Sequence, residues 1–410
     1  QQIGYYDFIQ TITTKGSMSD YSFDGTVLGQ HATVSDPVSG DQTWEKVVSK
    51  NLGLDLNMFN NRLSLTTDFY IRDTKGILGK GKSLPSIYGA SEPQMNANNL
   101  RTKGYELVLG WRDSFKLAGS TFSYGITGTF SDYTAEYTKC DNPTGLIGDP
   151  YVGKKYGEIW GYKVDGLFRN DKEAAEYASR IDLSTVASGY YTATGAYGKG
   201  VRGGDIKYLD LNGDNIVNGG KGTLDDPGDR RVIGNSSPRY QYGASLNFSW
   251  YGFDVSVFMQ GIGRLDWYPG ADNLRFWGPY CRPYATFVPK NFMSQVWSEE
   301  NPDAYFPRAR AYTSLNSNSG TAYYTNDRYL QNLAYCRLKN LTIGYTIPRR
   351  LTSKVGIKEC RIYFSGENLA TWSALKSDFL DPEQAAADSD KKANVYPWCK
   401  TYSIGLNLTF

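Results

Sequence analysis

Strict alternation of apolar and polar side chains dominates the chain. From Arg239 to Trp250 one side carries Tyr240, Tyr242, Ala244, Leu246, Phe248 and Trp250, and the other Gln241, Gly243, Ser245, Asn247 and Ser249. The same period of two runs through 62–72, 121–131 and 401–410. It is the signature of a strand with one apolar and one wet face. Noisier stretches at 3–13, 45–58, 102–113, 252–261, 334–347 and 359–369 bring the expectation to about ten strands. Several reach ten residues or more, whereas soluble strands have a mode of about 5–6 and membrane strands need about 9–11. The wet face carries Gly, Ser, Thr, Asn and Gln rather than Lys and Glu, which suits a lumen better than bulk water. Tyr and Trp recur near strand ends (Tyr105 and Trp111, Tyr240 and Trp250, Trp398 and Phe410), as interfacial girdles require. Tight connections at 59–61, 250–252 and 348–359 alternate with long ones at 74–100, 133–238, 262–333 and 370–397, and one short helix is expected at 171–180. The fold class is therefore all-β: an antiparallel transmembrane β-barrel with long extracellular loops.

Composition narrows the chemistry. Tyr (33) and Gly (44) make up nearly a fifth of the 410 residues, which disfavours long helices. The charge is nearly balanced, 44 Lys+Arg against 42 Asp+Glu, so no basic face points to nucleic acid. No apolar run is long enough for a membrane helix, a criterion blind to barrels. Histidine occurs once, at His31, which removes most imidazole-based catalysis and metal binding. Five cysteines (Cys140, Cys281, Cys336, Cys360, Cys399) include no CxxC pair, and Cys336 and Cys360, on adjacent strands, are the first pair to check for a bridge. Neither a redox nor an organic cofactor is expected. The opening Gln1-Gln2-Ile3-Gly4-Tyr5-Tyr6 reads like the inside of a strand, so either a leader has been removed or the sequence starts partway through a larger protein.

Three motifs carry candidate function. Asp210, Asn212, Asp214, Ile216 and Asn218 fit a D-x-N-x-D loop with oxygen donors at positions 1, 3, 5, 7 and 9, the arrangement that wraps Ca²⁺ or Mg²⁺. It departs from the full loop, with Asn215 where glycine is usual and Lys221 in place of the last acid; a later acid, Asp225, Asp226 or Asp229, would have to substitute. A solvated Asx-rich turn is the plainer alternative. Secondly, Trp267, Tyr268, Arg275, Phe276, Trp277, Tyr280 and Arg282 form a dense run of aromatic faces and guanidinium forks suited to a sugar, a peptide or a lid protein; the alternative is a loop packing its own core. Thirdly, Ser403, Gly405, Leu408 and Phe410 follow a polar-x-Gly-x-x-apolar-x-aromatic pattern, as in a strand whose last ring sits at the interface. The paired carboxylates Glu299-Glu300, Asp225-Asp226 and Asp388/Asp390 lie in polar loops and read as solvated charges rather than as acid/base pairs.

At these residues the chain resembles the C-terminal portion of SusC/RagA-type TonB-dependent outer-membrane transporters. The resemblance is carried by Asn51-Leu-Gly53-Leu-Asp55, Asn99-Leu-Arg101-Thr-Lys-Gly104, Gly157-Glu-Ile-Trp160-Gly161, Gly204-Asp205 through Asp214, Asp229-Arg230 through Gly234, Tyr335 through Tyr345, Gly366-Glu-Asn368 and Ser403–Phe410, in order over nearly all of the chain. It implies a barrel of about 22 strands around an N-terminal plug, of which this chain would supply the last ten or so. Residues 1–410 would all be barrel, with plug and TonB box elsewhere. It also implies import of oligosaccharides or peptides, a SusD-like surface lipoprotein as lid, energy from TonB–ExbB–ExbD through the missing N-terminal part, contact with outer-membrane lipid, a dimer of such pairs, and a Bacteroidetes-like Gram-negative outer membrane. On this resemblance Ser403–Phe410 is the outer-membrane insertion signal, Asp229 joins Asp210, Asn212 and Asp214 in a cation-stiffened loop, and loops 133–238 and 262–333 face the lid. Two other classes stay open: a secreted or cell-surface soluble all-β protein that binds or cleaves glycans, and a self-contained ten-stranded porin-like channel or surface protease.

Overall fold

The computed structural model describes residues 10–18, 28–35, 37–40, 42–80, 87, 89, 92–192, 200–271, 273–281, 288, 290–310, 322–377, 379–386 and 398–410. The first nine residues, Arg282, Asp388 and Asp390 lie outside that set. Nine long strands form one sheet: β1 (Lys46–Met58), β2 (Leu63–Lys80), β3 (Gln94–Leu117), β4 (Ser120–Lys139), β5 (Arg239–Trp250), β6 (Phe253–Arg264), β7 (Tyr335–Thr346), β8 (Glu359–Ser373) and β9 (Thr401–Thr409). Their spatial order is their chain order, an uninterrupted meander. The pairs from β4 to β9 are antiparallel. All nine have the length a membrane strand needs, about 9–11 residues or more.

Among the described residues, nine of the ten expected strands lie in this sheet; residues 3–9 of the other lie outside the described set. The described part of 3–13 leads into Ile12–Met18, which pairs with Leu28–Val34 in a separate hairpin. Strands β2, β3 and β4 also run beyond their expected ends. Residues 94–99 alternate only in part, Met95 and Ala97 against Gln94, Asn96 and Asn98 with Asn99 breaking the apolar side, so the extension carries a weak signal. The helix falls where expected, as α1 (Asp171–Ala178). Asn170 caps it by accepting from the Glu173 N–H (2.9 Å), and Glu173 Oε2 accepts in return from the Arg169 N–H (2.7 Å).

The chain falls into two compact units. The first comprises Gln1–Asn51, Tyr70–Lys103 and Thr134–Lys155, the second Leu52–Phe69, Gly104–Tyr133 and Tyr156–Phe410. In the first, asparagines tie the backbone: Asn96 exchanges hydrogen bonds with Thr43 (2.7 and 2.8 Å), and Asn99 accepts from the Gly76 N–H (3.0 Å). Arg101 forks onto Asp73 (2.7 and 3.2 Å).

The second unit shows what the alternation achieves. Across six strands the register aligns Tyr124, Phe248, Val255, Ile343, Phe364 and Ile404 in one unbroken apolar row. One position on, the opposite face aligns Gly125, Asn247, Ser256, Thr342, Ser365 and Ser403. The apolar face is not covered by a second layer: Ile126, Leu246, Ile343, Ile362, Ile404 and Leu406 are all exposed. Two rows of rings bound it. At the short-turn end Phe115 packs on Phe122 and Phe122 on Phe248 (5.3 and 6.2 Å between centroids), with Phe253 against Tyr345 (4.5 Å). Toward the long loops Phe69, Tyr105, Phe130 and Tyr240 follow one another on four successive strands at 6.0–6.4 Å. Tyr240 and Phe248 are eight positions apart on β5, about 27 Å along the strand at ~3.4 Å per residue. At a strand tilt of about 35–45° that projects to ~20 Å, most of the apolar band of about 25 Å between the aromatic girdles of a membrane barrel.

Two tight turns close the short-turn end. Ala118-Gly119 (φ 47° and 86°) and Tyr251-Gly252 (φ 48° and 84°) have both central residues left-handed, the mirror-image geometry that matches strand twist. On edge strand β9, Gly405 stands opposite Tyr363, whose ring occupies the space a Cβ at 405 would need. Ser403 faces Ser365, Leu408 faces Cys360, and Phe410 is exposed beyond them. Cys336 pairs with Trp372 while Cys360 pairs with Leu408, at opposite ends of the β7–β8 hairpin, so the bridge to be checked first does not form.

The large buried apolar cluster lies in the long loops rather than beneath the sheet. Tyr162, Phe168, Leu183, Ile206, Tyr208, Trp277, Phe306 and Tyr329 are among its members, and Phe379 and Leu380 pack against its edge. The sheet turns its apolar residues outward, while the loops bury theirs against one another.

Candidate functional site

The aromatic run of 267–282, a candidate either for ligand or lid contact or for a loop core, places most of its rings in the core. Phe276 and Trp277 are fully buried and Tyr280 nearly so. Phe276 meets Trp277 edge-on at 4.8 Å, and Phe306 and Tyr329 close the cluster around them. The indole N–H of Trp277 donates to the carbonyls of Pro269 and Gly270 (3.3 and 3.1 Å). Tyr268 donates to Tyr324 O (3.0 Å) and accepts from Asn326 Nδ2 (3.1 Å). Trp267 is half-buried and pairs with Gln331 in a two-residue ladder. Arg275 is exposed, and Arg282 lies outside the described residues. The physical reason is size: loops of this length need an apolar core of their own, and the largest rings supply it. Burial lifts the phenols accordingly, Tyr305 and Tyr162 each to about 12.

The acidic loop holds its own backbone. Asp210 accepts from the N–H groups of Gly213 (2.7 Å) and Asn215 (2.9 Å), Asn212 from Asp214 (3.0 Å), and Asp214 from Ile216 (2.8 Å). Asn215 takes the left-handed conformation (φ 65°) that glycine usually supplies in such loops, which asparagine tolerates. Asn218 accepts from Gly220 (2.6 Å). Asp229 is fully buried and gathers three N–H groups from across the loop, Leu211 (2.7 Å), Asn212 (3.3 Å) and Asn218 (2.9 Å). Among the described residues no three His, Cys, Asp or Glu side chains are arranged to hold a metal ion. The geometry fits a carboxylate brace centred on Asp229. Replacing Asp229 by alanine leaves three donors unmatched, and at about 1–3 kcal/mol for each that water cannot reach the loop is expected to lose ~3 kcal/mol of local stability. Hydrogen exchange at Leu211 and Asn218 reads this directly.

A second buried charge was not singled out in the sequence. Asp205 and Arg310 are both almost completely buried and form an ion pair at 2.5 Å. The Arg310 guanidinium lies 4.1 Å from the centre of the Tyr190 ring, and Asp205 Oδ2 also accepts from the Arg202 N–H (2.7 Å). Desolvation outweighs the help of Arg310 and raises the Asp205 carboxyl to about 6. A raised folded value favours the protonated acid: its contribution to stability is complete below the unfolded carboxyl's range and declines as pH rises through about 6. A buried carboxylic acid band in infrared difference spectra is expected at pH 5, lost above pH 6, and absent from D205N.

On the sheet's polar face two hollows stand out. One of about 950 Å³ is lined by Arg62, Arg112, Asp113, Asn247 and Asp254 among others, near the tight turns. Another of about 470 Å³ is lined by Glu106, Thr129, Gln241, Gln260 and Tyr335. Beside the second, a returning segment (379–386) crosses onto the strands. Arg337, nearly fully buried, donates to Asp381 (2.6 Å), Glu383 (2.6 Å) and Thr371 (2.9 Å). Lys339 reaches both Glu383 oxygens (2.9 and 2.8 Å), and Gln260 donates to the same carboxylate (3.2 Å). No motif announced this network, because its partners are more than thirty positions apart in sequence. Glu299 and Glu300 are exposed, in line with solvated loop charges.

No family model matches the chain. Curated relatives do. A protein named TonB-dependent receptor P3 from Formosa agariphila is 25% identical over 96% of this chain and 36% of its own length. TonB-dependent receptor P26 of the same organism is 26% identical over 92% and 36%. TonB-dependent receptor SusC from Bacteroides thetaiotaomicron is 22% identical over 90% and 32%. The chain thus spans about a third of the length of the relatives it matches. Among solved structures, the RagAB peptide transporter covers all of this chain with 39% of its own, at a TM-score of 0.66 and 21% identity, and the RagAB peptide importer in its open-open state gives 0.64. In sequence and in fold, the chain is a relative of the TonB-dependent receptors of the SusC/RagA type.

Proposed function

We propose that this chain is the C-terminal barrel portion of an outer-membrane importer that takes up oligosaccharides or peptides without making or breaking a bond. The observation that carries this is the uncovered apolar face, bounded by two rows of rings. A soluble glycan-binding or glycan-cleaving sheet would have to cover that face, since exposed contiguous apolar surface of this size marks an interface or a membrane. The polar face, lined by Ser, Thr, Asn and Gln with a few paired charges, would form the lumen wall. Plug and TonB-interacting segment would belong to the part of the relatives' length that this chain does not span. TonB would then supply the energy and a SusD-like lipoprotein the lid. Relatives named as TonB-dependent receptors and the likeness to the RagAB peptide importer support this reading. They leave glycan and peptide as alternatives that uptake decides. Deleting the gene and measuring growth on defined oligosaccharides and on peptides as sole nutrient tests it. A complete protein that stays soluble and monomeric without detergent would refute it.

A hard cation on the loop at 210–218 is a further proposal. Asp210, Asn212 and Asp214 would supply side-chain oxygens and Ile216 its carbonyl, stiffening the loop that Asp229 braces. The test is protection of the 210–230 amides in millimolar calcium against EDTA. Equal protection would leave the brace as the loop's whole role.

A further inference from the structure

The β7–β8 connection, expected as a plain turn, is a short helical turn at Arg349–Thr352 continued by a 3-10 turn at Ser353–Val355. It carries Arg349, Arg350, Lys354 and Lys358, all exposed, and no carboxylate between Thr346 and Lys358. None of the four forms an ion pair among the described residues. Interleaved with them are two of the more exposed aliphatics of the molecule, Leu351 (59%) and Val355 (71%). The turn is nevertheless held in place. Thr352 is buried and its carbonyl accepts from the Ile357 N–H (3.1 Å), the Lys358 N–H donates to Thr409 O (2.7 Å), and the Ile347 N–H donates to Cys360 O (2.9 Å). It therefore caps the ends of β7, β8 and β9 beside the Phe253–Tyr345 ring pair of the apolar face.

Four unpaired cations would be comfortable in water; Leu351 and Val355 would not. A bilayer interface accommodates both, with aliphatic side chains at the acyl boundary and long cationic side chains reaching to headgroups. We propose that the 349–358 turn is a docking site for anionic phospholipid headgroups. The proposal rests on the membrane reading above, which places short turns on the periplasmic side and so beside the phospholipid leaflet. An acidic protein surface would satisfy the charges alone, whereas the acyl boundary beneath anionic headgroups also takes up the exposed Leu351 and Val355. Phosphodiesters within reach of several Lys and Arg give the match in charge.

The test is native mass spectrometry of the complete protein in neutral detergent, titrated with equal amounts of dioleoyl phosphatidylglycerol and dioleoyl phosphatidylcholine. The expected result is a preference of about tenfold for phosphatidylglycerol. It should fall to near parity in the R349Q/R350Q/K354Q/K358Q variant and be unchanged in K172Q, a surface change on α1. A quadruple variant that keeps the native heat-modifiable mobility of a folded barrel and retains the preference overturns the proposal. Retention of both lipids without preference by the unmodified protein overturns it too, while leaving the transport reading intact. A protein that retains no lipid and needs no detergent overturns both.

Discussion

Replacing Trp277 by alanine is expected to unfold the loop body while leaving the sheet intact. The indole is fully buried, packs against Phe276, Phe306 and Tyr329, and donates to two carbonyls. Truncating a buried tryptophan typically costs about 3–5 kcal/mol, and here the loss falls on a cluster drawn from the loops alone. Hydrogen exchange should therefore show lost protection at amides such as Trp277 and Phe306, whose partners are Asn273 O and Gln295 O. The amides of β5 and β6, held by their own ladder, should keep theirs. The opposite outcome, an undisturbed loop body with weakened solute or lid binding, would favour the ligand-facing alternative that the sequence also offers. The distinction matters for any mapping of the lid interface: rings that hold the loops together weaken binding indirectly when removed, and only exposed neighbours such as Arg275 report contact.

This outcome shows where the sequence was legible. Nine strands were readable because one face must meet an apolar medium and the other a wet one, and a one-residue slip would exchange them. The row from Tyr124 to Ile404 and its polar counterpart from Gly125 to Ser403 are that constraint made visible. The strand extensions in β2 and β3 were harder to read, since Met95 and Ala97 are all that hold the period in one, and polar Asn98 is buried there while apolar Leu78 is buried in the other. The loops were the hardest. Trp277 and Arg275 stand two positions apart in the same aromatic run, yet one is core and the other surface. That difference depends on Phe292, Phe306 and Tyr329 arriving from elsewhere in the chain. Asp229 was noticed as an acid near a cation-loop pattern, but its role as acceptor for three N–H groups depends on a fold-back that spacing alone does not encode. Asp205 and Arg310 are separated by more than a hundred positions, and although Asp205 stands in a recognisable segment nothing local pairs it with Arg310.

Removing the Arg337 guanidinium, as in Arg337→Met, is expected to release the 379–386 segment from the sheet's polar face. Asp381 and Glu383 would then lose the fork that neutralises both, and breaking a buried pair from one side typically costs about 3–5 kcal/mol. Lys339 would hold Glu383 but cannot reproduce the planar geometry that engages Asp381, Glu383 and Thr371 together. Arg337→Lys should accordingly recover only part of the loss. A double-mutant cycle of Arg337→Met with Glu383→Gln separates the tie from general damage: contacting charged partners are expected to couple by about 0.5–3 kcal/mol. Limited proteolysis within 379–386 supplies the structural reading. Since Phe379 and Leu380 rest on the loop core while Asp381 and Glu383 grip β7, this segment links the loop body to the strands that would line the solute's path. If the cycle shows no coupling and the segment stays protected, the loop core alone fixes it and the charge network is incidental. If coupling and release appear together, the position of the strap over the polar face is set by Arg337, and the width left beside Gln260 and Tyr335 follows from that one side chain.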